Sequence, residues 1–112
     1  MASASVVELT DANFDQEVMK SSTPVLVDFW APWCQPCLRL GPTIDAIAEQ
    51  YKDKVKVGKL NIDEHSAAAM TYRVQSIPTV LLFKDGAVQK QYVGLVAKAE
   101  IEKTIDAMLG NG

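Results

Sequence analysis

Three observations predict an α/β fold: strand-like and helix-like segments alternate along the chain, one strand-like run is almost wholly apolar, and Asp85-Gly86 separates two further strand-like runs. No internal repeat or low-complexity linker divides the 112 residues, a length that buries one core but not two. A single domain is therefore expected over 1–112, with its core at about 6–109.

Val6 to Leu9 reads as a short strand, with Thr10 or Asp11 placed to cap a helix that carries Phe14 and Val18 one turn apart. Val25 to Trp30 is nearly continuous in apolar residues, as a strand covered on both faces must be. A helix from about Cys34 to Tyr51 follows, with Leu40, Ile44, Ile47, Ala48 and Tyr51 as its buried stripe, and Pro42 is expected to kink it. Val55 to Ile62 reads as a strand, and Ser66 to Arg73 as a short helix of alanines and Met70. Thr79 to Phe83 and Val88 to Val93 flank the Asp85-Gly86 turn signal, which makes the last two strands an antiparallel hairpin. The final helix covers Lys98 to Leu109, with Ile101, Ile105, Met108 and Leu109 on one face, and Gly110-Asn111-Gly112 is expected to fray.

A net charge of -3, with no cluster of Lys or Arg, argues against a nucleic-acid or anionic-membrane surface. Met1 to Ser5 is small and uncharged, and no apolar run precedes Glu8 and Asp11, so neither a signal peptide nor a membrane span is read. The expected location is cytoplasmic, a mature organellar form after transit-peptide removal being the alternative.

The chemistry concentrates in Trp33-Cys34-Gln35-Pro36-Cys37, which holds the only two cysteines two residues apart at the start of the long helix. Unpaired N–H groups and the dipole at a helix N-terminus favour a thiolate at Cys34, and Cys37 lies one turn on. That pair suits a reversible dithiol/disulfide, with an exposed, activated sulfur to attack and a shielded one to resolve. Blander readings are half a zinc site, two inert core cysteines, or a static disulfide. Zinc needs four ligands, and His65 is the only other soft one. A static bridge across so short a loop restrains the unfolded chain little.

Asp28 is out of place in the apolar run. Alternation puts it on the sheet face of Leu26 and Trp30, where desolvation raises a carboxyl pKa and makes a proton acceptor near pH 7. Lys59, aligned with Val55 and Val57 on the neighbouring strand, is the expected partner. A purely structural ion pair is the competing reading.

With these residues assembled, the chain resembles the thioredoxin family from about Val6 to Leu109. The resemblance rests on Val-Asp-Phe-Trp-Ala at Val27 to Ala31, the Trp33 to Cys37 box, Lys-Leu-Asn-Ile-Asp at Lys59 to Asp63, Ser-Ile-Pro-Thr at Ser76 to Thr79, and Val93-Gly94. It implies a thioredoxin fold, a five-stranded mixed sheet flanked by four helices, with a cis bond before Pro78. It further implies reduction of protein disulfides through Cys34 as nucleophile and Cys37 as resolving thiol, with Asp28 and Lys59 as the proton-transfer pair. No metal or bound cofactor is implied, only the redox-active Cys34–Cys37 disulfide, in a monomer re-reduced by an NADPH- or ferredoxin-linked thioredoxin reductase. Ile77 and Pro78 would lie against the dithiol and offer backbone to an extended substrate, with Trp33, Gly94 and Leu95 as an apolar rim.

The chain departs from the family at Gln35 and Ser76, where Gly is usual, at Leu38, where Lys or Arg is, and at Ala97, where Ser often caps the last helix. A disulfide oxidase or isomerase is the redox alternative, but such families carry His where this chain has Pro36. A binding module serving as a structural subunit is the alternative from another class.

Overall fold

Five strands form one mixed sheet in the computed structural model, which describes residues 3–110. They are β1 (Val6–Leu9), β2 (Val25–Trp30), β3 (Lys56–Asn61), β4 (Thr79–Lys84) and β5 (Ala87–Val93), in the spatial order β1-β3-β2-β4-β5. β3 runs parallel to both β1 and β2, while β4 is antiparallel to β2 and to β5. Parallel neighbours need a crossover, and α1 (Gln35–Gln50) supplies the one between β2 and β3. α2 (Ala67–Thr71) precedes β4, and α3 (Lys98–Met108) follows β5.

Because successive strand residues point to opposite faces, the sheet divides the core in two. On one face Leu26, Val57, Val80 and Leu82 pack against Leu40, Ile44 and Ile47 of α1 and Ile101 and Ile105 of α3. On the other, Val27, Phe29, Leu60 and Phe83 pack against Phe14, Val18 and Ala68. Val25 through Phe29 are all buried, as the apolar run requires of a strand covered on both sides.

The segment after β1 differs from expectation. Thr10 Oγ1 accepts from the Asn13 N–H at 3.0 Å, and the Thr10 N–H donates to Asn13 Oδ1 at 2.7 Å. The chain then coils over Asp15–Met19 in a wider π-type turn, closed by the Lys20 N–H on the Asp15 carbonyl at 3.0 Å. Among the described residues the sheet is flanked by four helices, as expected: this short π-helix together with α1, α2 and α3. Asp11 caps a different element: its Oδ1 accepts from the Ala67 N–H at 3.1 Å at the start of α2, where Ser66 makes no capping bond of its own. Its own N–H donates to His65 Nδ1 at 3.2 Å, so His65 is a half-buried acceptor in this loop junction.

The hairpin turn matches its sequence signal. Asp85 and Gly86 have φ of 53° and 77°, the paired left-handed residues that a tight two-residue turn demands. A bulge shifts the β4–β5 register between Leu82 and Phe83, and β5 is exposed along its length except at Tyr92. Ala97 starts α3 without a side-chain cap. Of the expected frayed end, Asn111 and Gly112 lie outside the described residues, and Gly110 donates its N–H to the Ala107 carbonyl at 3.1 Å. Among the described residues no helix is long and apolar enough to cross a membrane.

Candidate active site

The loop leaving β2 delivers Cys34 to the N-cap of α1 in an extended conformation, φ -88° and ψ 106°. From there Cys34 Sγ accepts the Cys37 N–H at 3.2 Å, one of the donors a helix N-terminus leaves unpaired. The two cysteines form a disulfide across the first turn, with their Cα atoms 5.2 Å apart. Gln35 is the first helical residue and is exposed, and Pro36 follows where a missing N–H costs nothing. In this oxidised state both cysteines are buried, at 5% and 3% exposure, against Ala31, Trp30, Ile62 and Ile77. The exposed attacking sulfur expected at Cys34 is thus covered: the Ile77 carbonyl oxygen stands 3.9 Å from its Sγ.

The Ile77–Pro78 bond is cis, as the resemblance implied, and the Gly94 N–H donates to the Pro78 carbonyl at 2.8 Å. Gly94 has φ of 87°, a left-handed backbone that suits glycine. Leu95, Val93 and Leu38 are exposed large apolar side chains, as is Trp33 at 65%. Trp33 is therefore no core filler; its Nε1–H donates to the Asp63 carboxylate at 3.0 and 3.2 Å. A cleft of about 330 Å³ opens beside it, lined by Trp33, Ile62, Val74, Gln75, Ser76 and Ile77.

On the inner side of α1, Asp28 and Cys37 share a second cleft, of about 310 Å³, with Trp30, Gly41, Asp45 and Lys59. Asp28 is 2% exposed, and its Oδ1 has no hydrogen-bond partner among the described residues. Desolvation pushes its pKa from 3.8 up to about 7, opposed by the positive charge of Lys59 and reinforced by the negative charge of Asp45. Asp28 and Lys59 are register partners across β2 and β3, as the alternation required. The contact differs from the expected one, however. Lys59 Nζ forms its ion pair with Asp45 Oδ1 on α1, at 3.0 Å, in an orientation outside hydrogen-bond angles, so this oxygen gains charge compensation alone. Asp45 was not among the residues expected at the site, because on a helix read by period it is one polar residue among several.

Among the described residues, no group of three or more His, Cys, Asp or Glu is placed to hold a metal. What the site does hold is a disulfide closed across the first turn of a helix, directly after the central strand of an α/β sheet. That arrangement defines a thiol–disulfide oxidoreductase. The thioredoxin family model matches residues 5–107, and the chain belongs to the thioredoxin family. It is 52% identical to thioredoxin 1 of Synechococcus elongatus over 101 residues, covering 90% of this chain and 94% of that one. It is 47% identical to the thioredoxin of Pseudomonas aeruginosa over 102 residues, covering 91% of this chain and 94% of that protein. The same identity relates it to the thioredoxin of the red alga Porphyra purpurea, over 91% of this chain and 95% of that one.

Proposed function

We propose that the chain works as a reductant of protein disulfides, with Cys34 as nucleophile, Cys37 as resolving thiol and Asp28 as proton acceptor. The observation that carries the assignment is the Cys37 N–H aimed at Cys34 Sγ from the helix N-terminus, at 3.2 Å. In the reduced protein that donor and the helix dipole favour the thiolate at Cys34 over the thiol. The Cys34 thiolate attacks a substrate disulfide, forming a mixed disulfide and releasing one substrate thiolate. Asp28 then takes the Cys37 proton through the cleft both residues line, whose volume leaves room for bridging water. The Cys37 thiolate attacks Cys34 Sγ, the second substrate thiolate leaves and is protonated, and the Cys34–Cys37 disulfide closes. Two electrons have passed from the dithiol to the substrate.

A carboxyl with a pKa near 7 suits this transfer, since a base is most effective when its pKa lies close to the working pH. Ile77, Pro78, Gly94 and Leu95, with Trp33, form the face against which an extended substrate segment docks. A thioredoxin reductase, NADPH- or ferredoxin-linked, restores the dithiol, and the protein acts as a cytoplasmic monomer. The reducing direction is supported by Pro36, rather than an imidazole, at the second position between the cysteines. Strongly oxidising disulfides need a further stabiliser of the reduced form.

The test is a pair of variants with opposite outcomes. Cys34→Ser abolishes reduction of a protein disulfide, whereas Cys37→Ser accumulates a mixed disulfide through Cys34, read by mass. Substrate captured on Cys37 in the first variant, at a rate matching Cys34 in the second, reverses the assignment. Equilibration of the Cys34–Cys37 pair with a glutathione buffer checks direction: a disulfide more oxidising than the buffer overturns the reductant reading, each 30 mV being about tenfold in the equilibrium constant.

A further inference from the structure

Cys37, Gly41 and Asp45 recur every four residues along α1 and so stack on one helix face. All three line the inner cleft, directly across from Asp28 on β2 and Lys59 on β3. Gly41 keeps the middle of this row open: a Cβ there would stand 3.8 Å from Lys59 Nζ, whereas a longer side chain would occupy the space over the ammonium. Lys59 thus has two carboxylates to choose from. Its strand register sets it beside Asp28, but its Nζ lies 3.0 Å from Asp45 Oδ1, with both side chains at 18% exposure. Asp28 Oδ1 is left without a hydrogen-bond partner among the described residues.

We propose that Asp45 is a positioning residue that holds the Lys59 ammonium away from Asp28, so that the proton acceptor for Cys37 stays buried and outside any ion pair.

The physical reasoning is a competition for one cation. Were Lys59 to turn to Asp28, the opposite charge at contact would favour the carboxylate and lower its pKa by at least about one unit. The group would then ionise more readily but hold a proton less well, and a weaker base takes the Cys37 proton more slowly. Asp45 opposes this twice over, by occupying the ammonium and by placing a second negative charge near Asp28. The titratable and charged groups facing Asp28 across this cleft are Lys59 from β3, and Asp45 and Cys37 from α1. Lys59 already opposes the burial that raises the Asp28 pKa and would oppose it more strongly at contact, so by holding the lysine Asp45 bears on the pH range in which the resolving step runs.

This inference rests on Asp28 being the proton acceptor, and the experiment separates the two. The Asp28 carboxyl is titrated by carbon NMR in the reduced protein, and the closure rate of a preformed Cys34 mixed disulfide is measured against pH. In Asp45→Asn the Asp28 midpoint falls by at least about one unit, and the pH profile of closure moves with it. Asp45→Glu, which can still pair with Lys59, restores both toward the parent values. In the Lys59→Met background, Asp45→Asn moves the midpoint by much less than in the parent, because there is no ammonium to release. Thermal unfolding of each variant establishes that it is folded at the pH of the measurement. An unchanged Asp28 midpoint in Asp45→Asn overturns the proposal, as does an equal shift with and without Lys59, which would mean direct repulsion in place of a hold. If Asp28→Asn leaves the closure rate unchanged, the acceptor reading fails, and the midpoint shift in Asp45→Asn still reports whether Asp45 controls Lys59.

Discussion

The two faces of the sheet are built to different specifications. The face under Asp15–Met19 and α2 is closed by aromatic rings: Phe83 meets Phe14 and Tyr72 edge-on, with centroids 6.0 and 5.2 Å apart. The α1 face has an apolar cluster of similar depth, yet it is cut at one end by three charged side chains, Asp28, Lys59 and Asp45. Edge-to-face aromatic packing adds to burial and asks for no polar partner. Buried charges do the reverse, since removing them from water costs several kcal/mol each and their pairing repays it only in part. Both faces therefore bury an apolar core, and the second also carries the cost of buried charge beside the dithiol.

Breaking the aromatic face tests this most severely. Phe83→Ala removes a fully buried ring and is expected to cost about 3–5 kcal/mol in denaturant unfolding. The Cys34–Cys37 potential is expected to stay where it was, and a shift beyond about 30 mV would show that the two faces are coupled.

Repairing the charged face should have the opposite sign. Asp28 holds its proton to about pH 7 in the folded chain, whereas the ordinary value for a solvated aspartate, as in the unfolded chain, is 3.8. Between these values the folded state binds more protons, so the Asp28 contribution to stability is lost as pH rises from roughly 4 to 7 and does not return above it. Asp28→Asn is expected to lack that slope, to be more stable than the parent above pH 7 by up to about 4 kcal/mol, and to turn over more slowly at neutral pH. A stability difference between the two proteins that stays constant across that range, together with equal turnover, would mean that Asp28 titrates alike folded and unfolded and is not the proton acceptor.

The smallest effect is expected at Gln35, which is exposed and belongs to neither face. Glycine costs a helix interior about 1 kcal/mol relative to the best formers, but the first turn is present in both redox states, so most of that cancels. Gln35→Gly is expected to move the potential by less than about 30 mV while changing kcat/KM unequally across a panel of protein disulfides. A large potential shift with uniform kinetics would make Gln35 a redox-tuning residue.

The same contrast separates what is legible in the sequence from what is not. Alternation in Val25–Trp30 was enough to single out Asp28, and the cysteine spacing with its following helical stripe was enough to locate the dithiol, because each is a local signal of fixed period. The Asp85-Gly86 turn was legible for the same reason. Lys59 could be aligned with its neighbours on β3, but its ion-pair partner could not be found, because Asp45 comes from a helix whose rotation against the sheet no periodicity states. Asp11 capping α2, and Trp33 tied to Asp63, were hidden likewise: both are contacts between segments far apart in the chain.

The ends of the sheet bear on what happens when many copies meet. A strand with a neighbour on one side only presents a row of free N–H and C=O groups, a template on which another chain can add. β1 limits that template by being four residues long. β5 is longer, but the register shift leaves Gln89 without a register partner and disturbs the row, and Gln89, Lys90 and Gln91 place polar and charged groups along its centre. The shortness of β1, and the bulge and polar side chains of β5, thus limit the template at both edges of the sheet.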